Sequence, residues 1–174
     1  MTREWLCANG LGSYASGTRS DVLTRRYHGL LVAALEPPLG RRVLLSKFDA
    51  TVDYCGIQTA LSANRWHDGT LAPNGDATIV DFRLEGTVPV WTYAVADALL
   101  ERRIWMTYGA HTTAIEWTLR DGSAPAALTL KAYVNDRDYH ALTHAYDVSN
   151  VARIDGELAT IRMGEGTTWY LRAP

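Results

Sequence analysis

The sequence has few of the features that cross-link a small secreted domain or anchor a protein in a membrane. Its only cysteines, Cys7 and Cys55, lie far apart and outside any metal-knuckle or redox spacing. Two reduced thiols are therefore predicted, with one disulfide as the alternative. No apolar run approaches the roughly 18 residues of a membrane-spanning helix, and no basic segment followed by an apolar one opens the chain. These absences predict a soluble protein of the cytoplasm.

The sequence also lacks an excess of charge of either sign. The chain has 17 Lys and Arg against 19 Asp and Glu, which gives a net charge of -2. This balance lacks the basic surface that nucleic acid requires. A neutral or weakly charged partner is predicted instead, with neither nucleic acid nor membrane as a partner.

The chain has no internal domain boundary. It shows no low-complexity segment, linker or repeat, and its 174 residues, 47% of them hydrophobic, suit one domain with its own core. One domain over 1–174 is therefore predicted. Because the sequence stops in the strand-like run TTWYLRAP, we interpret it as part of a larger protein.

Alternation with a period of two residues is the main structural signal. It predicts strands over 5–8, 29–35, 43–54, 78–84, 90–95, 100–108, 113–119, 127–134 and 168–172. Asp121-Gly122 and Asp155-Gly156 predict hairpin turns, and Gly109 to His111 a further turn. No sustained helical period occurs, and 136–144 would hold at most a turn or two of helix. The pattern favours an antiparallel sandwich or barrel.

A glycine-rich loop, NGLGSYASGT, occupies residues 9–18. Its backbone can approach another group closely, although its glycine spacing is neither a P-loop nor a dinucleotide fingerprint. A tight crossing between strands would explain the glycines equally well.

Two polar segments stand out beside apolar runs. The first holds Arg25, Arg26, Tyr27 and His28 before GLLVAA. If a strand begins here, Arg25 and Tyr27 point one way and Arg26 and His28 the other. Forked guanidiniums, aromatic rings and imidazoles suit a polyhydroxylated ligand. The alternative is a buried Arg–carboxylate pair with a hydrogen-bonded histidine.

The second polar segment repeats this composition, and it gives no catalytic or metal signature. It contains Arg137, Asp138, Tyr139 and His140. His140 and His144 are spaced as helical zinc ligands, but no glutamate lies between them and no third ligand is near. No nucleophile motif is present, and composition alone does not identify a pair of carboxylates for glycoside hydrolysis. We therefore predict no catalytic residue, metal or cofactor.

Three stretches together resemble a known family. They are EWLCANGLGSYASGT, TRRYHGLLVAALEPPLGRRVLLSKFD and NDRDYHALTH, and they resemble the N-terminal domain of bacterial and archaeal type glycogen debranching enzymes. The resemblance implies an all-β fold, an antiparallel β-sandwich of the supersandwich, galactose mutarotase-like kind. It also implies that the hydrolysis of α-1,6 branch points takes place in an (α/α)6 barrel, absent here, so this chain alone would be inactive.

The family commonly reads Gly-Gly-Tyr where this chain has Gly12-Ser13-Tyr14. That departure matters only if position 13 needs a positive φ. The early end at Pro174 further suggests that the sandwich is truncated and leaves an apolar face uncovered, through which two copies would dimerise.

Three functions follow from the resemblance and the polar segments. The domain could pack on the barrel and shape its substrate site, bind α-glucan (glycogen or maltooligosaccharides) autonomously, or act as purely structural support. The candidate substrate-binding residues are Asn9, Tyr14, Arg25, Arg26, Tyr27, His28, Arg137, Asp138, Tyr139 and His140.

Overall fold

The computed structural model describes residues 3–143 and 150–173, which form antiparallel β-strands joined by turns. The strands are β1 (Glu4–Ala8), β2 (Tyr14–Thr18), β3 (Gly29–Glu36), β4 (Leu39–Tyr54), β5 (Ile57–Ala60), β6 (Ala63–Arg65), β7 (Leu71–Asn74), β8 (Ile79–Glu85), β9 (Val88–Val95), β10 (Ala98–Met106), β11 (Thr113–Asp121), β12 (Ala126–Asp138), β13 (Asn150–Asp155), β14 (Leu158–Met163) and β15 (Trp169–Arg172). A 3₁₀ helix spans Gly75–Thr78. The described residues contain no helix with the length and hydropathy to cross a bilayer. The all-β antiparallel prediction is confirmed.

The first sheet is built around β4. Its strand order is β1-β2-β3-β4-β12, and β5 also pairs with β4. One edge of β4 pairs with β3 and then β5, while β12 follows the other edge from Arg42 to Tyr54. Ala50, Val52 and Tyr54 alternate into the core, as the period-two pattern predicts.

The second sheet packs on the first and has the order β11-β10-β9-β8. Trp5 of β1 and Trp91 of β9 meet edge to face across the two sheets, with ring centroids 5.5 Å apart. Both tryptophans are buried and belong to one core cluster. The two sheets therefore form the sandwich that the sequence predicts.

A charged residue lies inside this core. Arg102 is only 5% exposed, and its guanidinium carbon is 4.0 Å from the centroid of the Trp91 ring. Its Nη2 lies 3.1 Å from Oδ1 of Asp21. A desolvated cation over an aromatic face is worth about 2 kcal/mol, so the ring and the carboxylate together offset the burial of the charge.

Smaller sheets complete the described part of the chain. β13, β14 and β15 form one, β6 and β7 another. The hairpin predicted around Asp155-Gly156 is confirmed, but Asp155 pairs with Leu158, so the central residues are Gly156 and Glu157. Cys7 and Cys55 are both free thiols, as predicted.

The structure contradicts one turn prediction, shortens one predicted strand and shows strand and turn where a short helix was allowed. Asp121-Gly122 is not a hairpin, because β11 belongs to the second sheet and β12 to the first. The apolar faces of β11 and β12 therefore pack into the core from opposite sheets. β10 ends at Met106, so the Tyr108 ring lies outside the core. β12 extends to Asp138 and a turn follows, which leaves no helix within 136–143; His144 lies outside the described residues.

Candidate functional site

The strand register brings part of the glycine-rich loop and part of the second polar segment to the outer face of the first sheet. It places four residues of β2, β3, β4 and β12 in one row: Tyr14, Val32, Val43 and Arg137. Because their chain neighbours Ala15, Ala33 and Leu44 lie in or near the core, this row points outward. Val32 and Val43 are nevertheless fully buried. This end of the outer face is thus covered by the chain itself.

Three aromatic side chains from the two polar segments pack together there. The Tyr27 ring lies 5.5 Å from the Tyr139 ring and 5.6 Å from the His140 ring, centroid to centroid. The Tyr27 hydroxyl is also 3.2 Å from Nδ1 of His140. Tyr27 and His140 are exposed and Tyr139 is half-buried. We call Tyr27, Tyr139 and His140 the ring cluster.

Arginine side chains connect the backbones that carry these rings. Arg26 Nη1 donates to the carbonyl of His140 at 2.7 Å. In the reverse direction, Arg137 Nη2 donates to the carbonyl of Arg26 and its Nη1 to that of Ala141. The two arginines therefore hold the two segments together and leave the rings facing solvent.

Tyr14 and Asp138 also bond to the backbone of the ring cluster. The Tyr14 hydroxyl donates to the carbonyl of Tyr27 at 2.9 Å. Burial raises the pKa of Tyr14 above its ordinary value, and this effect outweighs the lowering of the pKa by the Arg41 guanidinium. The Tyr14 hydroxyl therefore stays protonated. Oδ1 of Asp138 accepts from the amide of His140 at 2.8 Å, which closes the turn after β12.

Arg25 and His28 turn away from the ring cluster toward β1. Arg25 Nε lies 2.7 Å from Oε1 of Glu4, and Nε2 of His28 lies 3.8 Å from the same oxygen. The expected pairing of Arg25 with Tyr27, and of Arg26 with His28, is therefore wrong. The reason is that residues 24–28 form no strand, since β3 begins at Gly29, and alternation does not apply to a turn.

Asn9 forms a separate anchor at the glycine-rich loop. It is fully buried, its Nδ2 donates to the carbonyl of Ala110, and its Oδ1 accepts from the amides of Leu11 and Ser13. Ser13 is not among the residues with positive φ, so the departure at this position causes no backbone strain. The Ser13 hydroxyl instead accepts from the Ala34 amide and lies 2.6 Å from Nδ1 of His111.

Arg41 links this loop to the ring cluster, and the sequence analysis did not single it out. Its Nε donates to the carbonyl of Gly12 at 2.7 Å, and its guanidinium carbon lies 5.7 Å from the Tyr139 ring centroid. The residues Pro37-Pro38 before it are a turn signal, and counting across that hairpin would have placed Arg41 beside Ala34. His111 carried no such signal, since only the packing of the two sheets brings it to Ser13.

The chemistry open to the ring cluster is binding by ring faces and hydroxyls. Aromatic faces suit the C–H surfaces of a sugar, and the Tyr27 hydroxyl and the His140 imidazole can exchange hydrogen bonds with its hydroxyls. Within residues 3–143 and 150–173, no group of three histidine, cysteine or acidic residues is placed to hold a metal ion.

Comparison with known proteins gives one family. Neither a curated protein nor a solved structure shows significant similarity to the chain. The family model described as glycogen debranching enzyme N terminal matches residues 3–173, which is nearly the whole chain and includes the loop and both polar segments. The chain therefore belongs to the glycogen debranching enzyme N-terminal family.

Proposed function

We propose that this domain forms part of the substrate site of a glycogen debranching enzyme, in which it packs on a catalytic barrel that hydrolyses α-1,6-glucosidic branch points. The observation that carries the proposal is the ring cluster. Two segments more than a hundred positions apart, each with an arginine, a tyrosine and a histidine, meet in one exposed group of rings. A neutral, polyhydroxylated α-glucan suits such a surface and the small net charge of the chain.

The bond-breaking groups belong to the barrel in this proposal. An inverting hydrolysis needs one carboxylic acid to protonate the leaving oxygen and one carboxylate to activate water, on opposite sides of the scissile bond. Asp138 of the site is engaged by the His140 amide, so we assign it a positioning role. The domain contributes binding and orientation of the glucan.

The roles of the candidate residues divide accordingly. Tyr27, Tyr139 and His140 contact the glucan. Arg26, Arg137, Tyr14 and Asp138 position them through backbone hydrogen bonds. Arg25, His28 and Asn9 stabilise the neighbouring loops, and we assign them no contact with substrate.

The test is steady-state kinetics on the enzyme that contains both this domain and its catalytic domain. Replacing Tyr27 by Ala should raise KM for branched glucan roughly threefold to tenfold, as expected for one lost ring contact, with kcat and melting temperature unchanged. Tyr170→Ala is the matched control, because Tyr170 is an exposed tyrosine on β15, 64% exposed. An unchanged KM in the Tyr27 variant would refute the substrate role.

Two other outcomes would favour the alternatives. If Tyr27→Ala and Tyr139→Ala lower activity only in proportion to lost folding, the cluster is structural support. The arginine bonds to backbone carbonyls are the observation that favours this reading. If calorimetry of the 174-residue chain detects maltoheptaose without the barrel, the domain is an autonomous α-glucan-binding module.

A further inference from the structure

Tyr108 is a highly exposed ring that neither the core nor the ring cluster uses. It follows β10 and is 86% exposed, more than any other large apolar or aromatic side chain among the described residues. Its ring packs against the backbone of Gly10, where an added Cβ would lie 2.6 Å from Cε2 of Tyr108. Gly10 also has a φ of +80°, a conformation that glycine adopts without strain.

The ring is held in place although it is not buried. The Gly109 amide donates to the carbonyl of Asn9 at 2.8 Å, and Asn9 Nδ2 donates to the carbonyl of Ala110 at 2.9 Å. The turn is thus bonded to the supporting loop by the two residues that directly follow Tyr108, Gly109 and Ala110. A binding group fixed in advance loses little conformational entropy when a ligand arrives.

A series of contacts also links Tyr108 to the ring cluster. Gly12, two residues beyond Gly10, accepts from Arg41, and the Arg41 guanidinium lies beside the Tyr139 ring. Two residues of chain span at most about 7 Å. The contacts therefore run from Tyr108 through Gly10, Gly12 and Arg41 to Tyr139.

We propose that Tyr108 is a second contact for the same α-glucan, a ring on which a glucose unit further along the chain lies. The inference rests on the proposed function of the ring cluster and deepens it. One glucose unit cannot touch both places, since the Gly10 loop and Arg41 separate them, so Tyr108 makes the enzyme selective for longer chains. The contact uses the face of the ring and leaves the hydroxyl dispensable.

The experiment compares substrates of different length on the two-domain enzyme. The substrates carry one α-1,6 branch on a main chain of maltotriose length or of maltoheptaose length. Tyr108→Ala should raise KM for the long substrate roughly threefold to tenfold, about 0.7–1.4 kcal/mol, and leave KM for the short substrate and kcat unchanged. Tyr108→Phe should keep the KM of the unsubstituted enzyme, and Tyr170→Ala is again the control.

The outcomes separate this inference from the proposal beneath it. If Tyr27→Ala raises KM for both substrates and Tyr108→Ala changes neither, the Tyr108 contact is refuted and the ring cluster stands. If neither variant changes KM, both are refuted. If Tyr108→Ala lowers the melting temperature of the two-domain enzyme and its activity on both substrates equally, Tyr108 packs against the catalytic domain, which also overturns the glucan contact.

Discussion

The guanidinium of Arg137 donates a hydrogen bond to the backbone carbonyl of Arg26, across a sequence separation of 111 residues. The same side chain donates to the carbonyl of Ala141 at 2.9 Å. One arginine on β12 thereby joins the turn that carries Tyr27 to the turn that carries Tyr139 and His140. Residues 24–28 belong to no strand, so side-chain bonds such as this pair hold the rings together.

Replacing Arg137 by Ala should lower the free energy of unfolding by about 1–2 kcal/mol, because the carbonyls of Arg26 and Ala141 lose a charged donor that water replaces only in part. Urea denaturation gives the free energy, and hydrogen exchange should show faster exchange in residues 24–28 and 139–141. Arg172→Ala is the control, because Arg172 is 75% exposed and pairs with the exposed Glu157 at 3.5 Å; its loss should cost less than about 1 kcal/mol. Equal losses in the two variants would contradict the bridging role.

Gly12→Ala should destabilise the chain by more than its backbone angle alone requires. Its φ is +95°, and an added Cβ would lie 2.7 Å from the carbonyl oxygen of Pro38. Gly56→Ala isolates the angle, because Gly56 has a φ of +77° with nothing within 4 Å of the added carbon. We expect about 1–2 kcal/mol at Gly56 and about 1–3 kcal/mol more at Gly12, measured by urea denaturation. Similar losses would mean that Pro38 moves aside freely.

Arg102→Met should cost about 3 kcal/mol, because it removes the hydrogen-bonded partner of the largely buried Asp21 carboxylate and leaves that carboxylate with the more distant Lys47 ammonium, 3.7 Å away. Arg102→Lys should recover only part of this loss, since an ammonium lacks the planar face that lies on Trp91. The neighbouring Arg103 points to the other face of the sheet and is the control; Arg103→Met should cost less, about 1–2 kcal/mol, because its partners Glu85 and Glu101 also pair with Arg83. A fully stable Arg102→Lys variant would show that charge alone matters. Denaturant titrations of the three variants decide between these outcomes.

His28 should make stability fall as the pH falls. Burial lowers the pKa of His28 below its ordinary value of 6.5, which outweighs the opposing effect of Glu4. Between the folded and unfolded pKa values the unfolded chain binds more protons, so the stability is fully present above about pH 6.5 and is lost as the pH falls below it. His28→Gln should flatten the slope of unfolding free energy against pH in that window. An unchanged slope would mean that other groups cause it.

Local alternation was sufficient to predict most of the fold from the sequence. Alternating apolar residues in β4, β9 and β12 predict which face of each strand packs on the core. All three strands form at the predicted positions. Asp121-Gly122 wrongly predicted a hairpin between β11 and β12. A turn signal is local, whereas the pairing of β12 with β4 decides which sheet β12 joins.

The candidate site was less accessible because it depends on contacts between distant segments. The sequence identifies Tyr27 and Tyr139 as ring residues beside arginines, but it does not reveal that they touch. Arg41 bonds to the Gly12 carbonyl, and His111 lies beside the Ser13 hydroxyl. Neither contact produces a periodic pattern in the sequence from which it could be predicted. Assuming a strand at 24–28 predicted that Arg25 lies on the same side as Tyr27. In the structure, Arg26 accompanies Tyr27 and Arg25 bonds to Glu4.

The pairing of β4 with β12 also sets an order of events during synthesis. Arg42 of β4 leaves the ribosome 96 residues before its partner Asp138, which at about 5–20 residues per second is a wait of roughly 5–20 s. During that time β4 offers an unpaired edge from Arg42 to Tyr54, the kind of edge that captures other chains. The nascent domain is thus exposed to aggregation until β12 pairs with β4 and the ring cluster assembles, and a chaperone that shields β4 would act in that interval.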